Sequence, residues 1–186
     1  MGLSKEKIVN NAKKYYSSGE EYGFMNDALI EALGDSIVSA PASTRTDLHN
    51  AFEGGLIDHM LKTTVYAVKL NGILPEDQQV DKASLVRVCC LHQIGKANLY
   101  KPTTENWQHK KGIMYDFNNE LTSMRIGERS AHLAMSNGIT LSEEEYQAIL
   151  NFDKENDKQA QYHTTTLGVI LRQANELAIM EQKANV

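Results

Sequence analysis

Apolar positions recur at helical spacing along most of this chain, and the rhythm predicts about seven helices. The first opens at Ser4 and runs to about Tyr16, with Ile8, Ala12 and Tyr15/Tyr16 on one face. The second runs from about Asn26 to Val38 through Leu29, Ile30, Leu33 and Ile37, and Ala40-Pro41-Ala42-Ser43 then breaks the chain. The third spans about Ala51 to Asn71, where Leu56, Ile57, Met60, Leu61, Thr64, Val65 and Val68 make a broad stripe. Gly54-Gly55 near its start is poor helix interior, so it reads as close backbone packing or a bend. Asp81 is an N-cap for a fourth helix, about Lys82 to Gln93. Leu85, Val86, Val88, Cys89, Cys90 and Leu91 leave that helix little polar surface, which marks it as buried and central.

Between about Ala97 and Gly127 the periodicity lapses. Trp107 to Tyr115 reads as a short hairpin around Lys110-Lys111-Gly112, and a connection of this length points to a functional loop or lid. A helix follows over about Glu128 to Ser136, stopped by Asn137-Gly138. Ser142 and Glu145 form a capping box, with Leu141 and Tyr146 as its hydrophobic staple, and start a helix that runs to about Phe152. A polar connection over Asp153 to Gln161 leads to the last helix, about Thr164 to Gln182. The fold class is therefore all-α: a compact helical bundle with at most one small β-hairpin.

Composition narrows this picture. A chain of 186 residues with 41% apolar positions has room for one domain and a sizeable core. No apolar run approaches the roughly 20 residues that cross a bilayer, and the opening MGLSKEKIVNNAKK lacks the apolar stretch of a leader. The formal charge is −5, with 19 basic against 24 acidic residues and no long basic run, so no extended nucleic-acid surface is expected. Cys89 and Cys90 are neighbours on a helix and point in different directions; they read as core thiols of a reducing, cytoplasmic compartment.

The candidate chemistry centres on His59 and His92, which sit on the two most buried-looking helices. Each taken alone reads as a hydrogen-bonded core histidine. Their surroundings add to that. His49-Asn50-Ala51-Phe52-Glu53-Gly54-Gly55-Leu56-Ile57-Asp58-His59 resembles the first motif of the HD phosphohydrolase superfamily. Leu91-His92-Gln93-Ile94-Gly95-Lys96 resembles the motif that names it, Leu-His-Asp-Ile-Gly-Lys. Gly127-Glu128-Arg129-Ser130 resembles a Gly-His-Gly-Glu-Arg-Ser word of some bacterial and phage members. Asn175-Glu176-Leu177-Ala178 resembles the final Ala-Asp-x-Leu-Ala. Order and spacing agree over roughly residues 40 to 182. The resemblance implies an HD-like core over residues 41–182 with the helices of residues 1–40 packed on it, in a single domain of bacterial or phage origin. It also implies a site in which histidines and aspartates hold one or two divalent metals, which activate a water against phosphorus.

The chain departs from that pattern at the ligands. His59 and His92 remain, but Gln93 and Asn175 stand at the two aspartates, while Ile126 and Phe152 stand where related members carry histidines. Two imidazoles and two amides bring no negative charge, so weak or absent metal binding is expected. Any residual metal (Mn, Mg, Ni or Fe) would rest on His59 and His92. Asp153, beside Phe152, would point away by about 100° if the helix continued. His49, His59, His92, Lys96 and Arg129 remain as candidate ligand-binding residues, since Lys and Arg bind phosphate without a metal. The alternative for Lys96 and Arg129 is the surface, solvated or paired with Glu128 or Glu53. The Trp107, His109, Lys110, Lys111 cluster is either a lid or an exposed hairpin.

Three functions are open at this point. The first is a non-catalytic protein that binds a phosphate-bearing small molecule or nucleotide. The second is an active metal-dependent phosphohydrolase with non-standard ligands. The third is an interaction or structural protein with a vestigial cavity. Oligomeric state is left undetermined.

Overall fold

The computed structural model describes residues 2–153 and 164–184. Helix makes up 62% of it and the sheet has two short strands, so the protein is all-α with a small β accessory. The expected polar connection after Asp153 lies almost wholly outside the described residues.

Caps set most helix starts. Helix α1 (Lys5–Tyr22) begins where Ser4 Oγ accepts from Lys7 N at 3.2 Å, and it ends at Gly23, whose φ of 67° is the left-handed turn that favours glycine. It is six residues longer than the apolar face predicts, because Gly19 packs under Phe24 and Met25 and extends the buried side past Tyr16. The second expected helix is two. Helix α2 (Asp27–Leu33), capped by Asn26 Oδ1 on Leu29 N, stops at Gly34, and one further turn forms α3 (Ser36–Ser39).

Helix α4 (Gly55–Gly72) starts at the glycine pair. Gly54 takes a φ of 76° and lies against Ile8 of α1, while a Cβ on Gly55 would collide with the Asn50 carbonyl. The pair is thus both the bend and the close approach, and the helix begins four residues later than the apolar stripe alone indicates. Helix α5 (Lys82–Leu91), capped by Asp81 on Ser84 N at 2.9 Å, carries Leu85, Val88, Cys89, Cys90 and Leu91 at 1% exposure or less, which makes it the central helix. A short 3-10 turn, Ile94–Lys96, follows.

The loop region holds more order than expected, and differently placed. Strands β1 (Tyr100–Pro102) and β2 (Tyr115–Phe117) pair antiparallel, Tyr100 opposite Phe117. The stretch expected to be a hairpin over Trp107 to Tyr115 is instead helix α6 (Asn106–Lys110) between those strands. Thr103 explains the change: its hydroxyl bonds Gln108 Oε1 and its backbone carbonyl accepts from His109 Nε2 at 3.1 Å, which folds the segment onto itself. The lobe is tied to residues 44–46 by Thr46 N to Gly112 O and Met114 N to Thr44 O, both 2.8 Å.

Helix α7 (Ile126–Ser136) starts two residues early, with Glu128 capping back onto Arg125 N at 3.3 Å. The predicted capping box opens α8 (Glu143–Asn151): Glu145 N to Ser142 Oγ is 3.1 Å and Ser142 N to Glu145 Oε2 is 3.0 Å. Helix α9 (Thr166–Ala184) closes the core. It packs on α4, α5 and α8, α1 covers α4 and α5, and α7 lies across the Ile94–Lys96 turn. The start of α4, the ends of α5 and α8 and the middle of α9 therefore converge around one polar spot. No helix among the described residues is long and apolar enough to cross a membrane.

Candidate functional site

Four of the predicted side chains meet in that spot. His59 comes from α4, His92 and Gln93 follow the end of α5, and Asn175 comes from the middle of α9. Their exposures are 0%, 0%, 2% and 5%, so what one atom lacks must come from a neighbour rather than from solvent. His59 Nε2 lies 2.9 Å from Asn175 Oδ1, and His92 Nε2 lies 3.4 Å from the same atom. Gln93 Nε2 donates to Asn175 Oδ1 at 3.2 Å and stands 3.4 Å from His59 Nε2. Asn175 thus sits between the two imidazoles.

The far side of each ring is anchored. His92 Nδ1 faces the Cys89 carbonyl at 2.8 Å, and a carbonyl only accepts, so Nδ1 carries the proton. His59 Nδ1 faces Gln182 Oε1 at 2.8 Å. The orientation of Gln182 is fixed in turn, because its Nε2 donates to Asp58 Oδ2 at 3.4 Å. Asp58 also accepts from Asn50 Nδ2 at 3.0 Å and from Asn11 Nδ2 at 2.9 Å. Both rings are neutral. Burial pushes the His59 pKa down to about 4, with the Lys96 charge adding to it, and burial together with the His59 charge pushes His92 down to about 3. A neutral ring protonated at Nδ1 keeps its lone pair on Nε2, and for His59 the Gln93 amide N–H stands 3.4 Å away to meet it.

Lys96 is not on the surface. At 8% exposure its ammonium donates to Gln93 Oε1 at 2.7 Å and to the Ala42 carbonyl at 2.5 Å. Burial lowers its pKa from 10.5 to about 7, and Asp153 pulls the other way. Helix α8 ends at Asn151, so Asp153 lies beyond the helix and its charge acts on Lys96; the expected 100° diversion does not apply.

His49 joins the group from the loop before α4. Its ring lies 4.5 Å from that of His59, and Ser43 Oγ bonds its carbonyl at 2.5 Å. Burial first, then the His59 and Lys96 charges, push its pKa down to about 2. Its Nε2 is buried with no hydrogen-bond partner among the described residues. Phe152 closes the other side, edge-on to His92 with centroids 4.8 Å apart.

Among the described residues Arg129 makes no bond to this cluster, and its Nε is buried without a partner there. It donates from Nη1 to the Thr122 carbonyl at 3.3 Å, and its Cβ packs on Gly95. Its neighbour Ser130 does the local work, accepting from Gly95 N and donating to the His92 carbonyl, both at 2.9 Å. Ile126 is the first residue of α7. The Trp107–Lys111 stretch, expected as a lid or an exposed hairpin, folds onto Thr103, and Lys111 lies 5.1 Å over the Trp107 ring.

Sequence patterning does not single out Asn50, Asp58 or Gln182. Gln182 has a signal: it lies seven residues beyond Asn175, two helical turns along the same face. Asp58 has none, since its carboxylate is aimed by Asn11, 47 residues away. Compared with models of protein families, with curated proteins and with solved structures, the chain matches none.

Proposed function

We propose that the chain is a degenerate member of the HD phosphohydrolase superfamily that no longer hydrolyses, and that its buried histidine and lysine cluster binds a phosphate-bearing small molecule. The observation that carries the loss of hydrolysis is the Asn175 amide, 2.9 Å from one imidazole Nε2 and 3.4 Å from the other, at the position where that family would hold a cation.

These donors do not fit a divalent metal. His59 and His92 are neutral, Gln93 and Asn175 are amides, and Phe152 offers only carbon. Such sites need carboxylates to offset the ion's charge, and the Lys96 ammonium bonded to Gln93 would repel a cation. The outer anchors fit the ancestry: metal-binding histidines hold the far ring N–H on a carbonyl or on a carboxylate network, as Cys89 O and the Gln182–Asp58 pair do here.

Lys96 and His49 support the ligand. Lys96 lies close enough to depress the His49 pKa, and the buried His49 Nε2 has no partner among the described residues. An anionic oxygen between them would accept from both, with one His49 N–H and the Lys96 ammonium as donors.

Calorimetric titration with inorganic phosphate and with a nucleoside monophosphate tests this. Saturable heat that disappears in Lys96→Met is the expected result; no saturable binding removes the ligand from the proposal. Manganese titration and an assay with chromogenic phosphodiesters test the other half. Turnover that depends on His59 and His92 would make active hydrolysis the better account.

A further inference from the structure

The outer face of α1 carries a feature that the buried cluster does not use. A cleft of about 660 Å³ runs between α1 and α4, with Lys7, Lys13 and Lys14 on one wall and Lys62 on the other. Leu61 and Val65 give it apolar surface, and Val65 is 50% exposed. A second cleft of about 550 Å³ shares Lys7, Asp58 and Lys62 with the first, and Leu48, Phe52 and Met114 line its far end. The two form one groove with an apolar well at each end and cations between and beside them.

The charge is concentrated, not inherited from composition, because the chain as a whole carries −5. Asp58 is the only carboxylate among the described residues that line the first cleft, and amides of Asn11, Asn50 and Gln182 already occupy it. Glu181 lines the second cleft and is bonded to Lys62 at 2.8 Å and to Tyr66 at 2.5 Å. Lys7, Lys13 and Lys14 form no ion pair with a described residue.

We propose that this groove docks an acidic, amphipathic helical segment of a partner protein. Lys7 and Lys14 are two helical turns apart, about 10 Å along α1, which is the spacing of carboxylates at i and i+7 on a second helix. The segment's apolar side chains would cover Leu61 and Val65 at one end and Phe52 and Met114 at the other, as in helix-in-groove recognition. A small polyanion would engage the lysines and leave that apolar surface wet. The site is independent of the phosphate reading, which rests on Lys96 and His49.

The test is a titration of isotope-labelled full-length chain with a synthetic helix of about 20 residues. It carries Leu on one face and Glu flanking it, and is compared with the same peptide bearing Lys for Glu and with tripolyphosphate. Saturable shifts at residues 7–18 and 58–65 are expected with the Glu peptide only. Affinity should fall about tenfold in Lys7→Glu/Lys14→Glu and in Val65→Asp, and also with added salt. Lys5→Glu, a charge reversal on α1 outside the groove, should bind as the unaltered chain does. No saturable binding of the Glu peptide, or equal binding of the Lys peptide, overturns the proposal. Tripolyphosphate binding at the same residues that Val65→Asp leaves intact also overturns it, in favour of a small-anion site.

Discussion

His59 Nε2 and Asn175 Oδ1 stand 2.9 Å apart across 116 residues of chain, and this contact joins α4 to α9 at the polar centre of the core. An aspartate at 175 would put a carboxylate against two imidazole lone pairs, and a second at 93 would complete a charged donor set. The double variant Gln93→Asp/Asn175→Asp is expected to take up manganese, measured by elemental analysis after desalting, while the unaltered chain retains none. Equal uptake by both proteins would contradict the charge argument.

The same contact makes a prediction about protons. His92 Nδ1 is held by the Cys89 carbonyl and His59 Nδ1 by Gln182, so both rings should be Nδ1–H tautomers with unprotonated Nε2. An unprotonated Nε2 needs a donor, and for His59 the Gln93 amide N–H stands 3.4 Å away to supply one. Nitrogen-15 spectra of the imidazoles at neutral pH should show pyridine-type Nε2 for both. Asn175→Leu should lower stability by about 1–3 kcal/mol, because it leaves the buried Gln93 N–H without its acceptor. An Nε2–H tautomer at His59 would overturn this assignment, with the ring then donating to Asn175 Oδ1.

Stability should rise with pH over two windows. Ordinary imidazole titrates near 6.5, whereas His59, His92 and His49 in the fold are pushed down to about 4, 3 and 2. Below 6.5 the unfolded chain takes up protons that the fold refuses, so stability is intact above that value and is lost as pH falls toward 4. Each such proton steepens the loss by about 1.4 kcal/mol per pH unit. Lys96 behaves alike at higher pH: held near 7 against 10.5, it adds stability as pH climbs from 7 toward 10.5. Urea unfolding at several pH values checks both. A flat profile between pH 4.5 and 6.5 would mean the imidazoles are not neutral in the fold, and Lys96→Met should flatten the upper limb.

Gly55 offers a test of the backbone that aims the site. Its missing Cβ leaves room for the Asn50 carbonyl, and Asn50 reaches from there to Asp58. Gly55→Ala should destabilise the chain by about 1–3 kcal/mol through that collision. Gly72, at the other end of the same helix, has open space where a Cβ would stand, with nothing within 4 Å, so Gly72→Ala should be neutral or slightly stabilising. Thermal melts of the pair separate packing from propensity, and similar values for both would remove the close-approach argument.

Local signals were legible because their physics is local. Asp81, Ser142 and Glu145 cap in the structure as their spacing required, and the run from Leu85 to Leu91 is the buried central helix that its lack of polar positions demanded. The meeting of His49, His59 and His92 was expected from the sequence as well, and the three rings lie 4.5 and 6.0 Å apart in turn. The hairpin around Gly112 was misplaced because a turn signal cannot say which flanking segments pair, and β1 found β2 across α6. Arg129 carried the right charge, but its side chain turned to Thr122.

What the amino-acid order determined alone is the long helices, most of their caps, and the presence of amides rather than carboxylates at 93 and 175. What only the tertiary structure decided is which atoms those amides meet: Gln182 and Asp58 behind one imidazole, Cys89 O behind the other, and Lys96 turned inward to Gln93. The division follows from range. Helix periodicity and capping act within a turn or two, whereas a buried polar atom is matched by whichever distant side chain the packing of α4, α5 and α9 delivers to it.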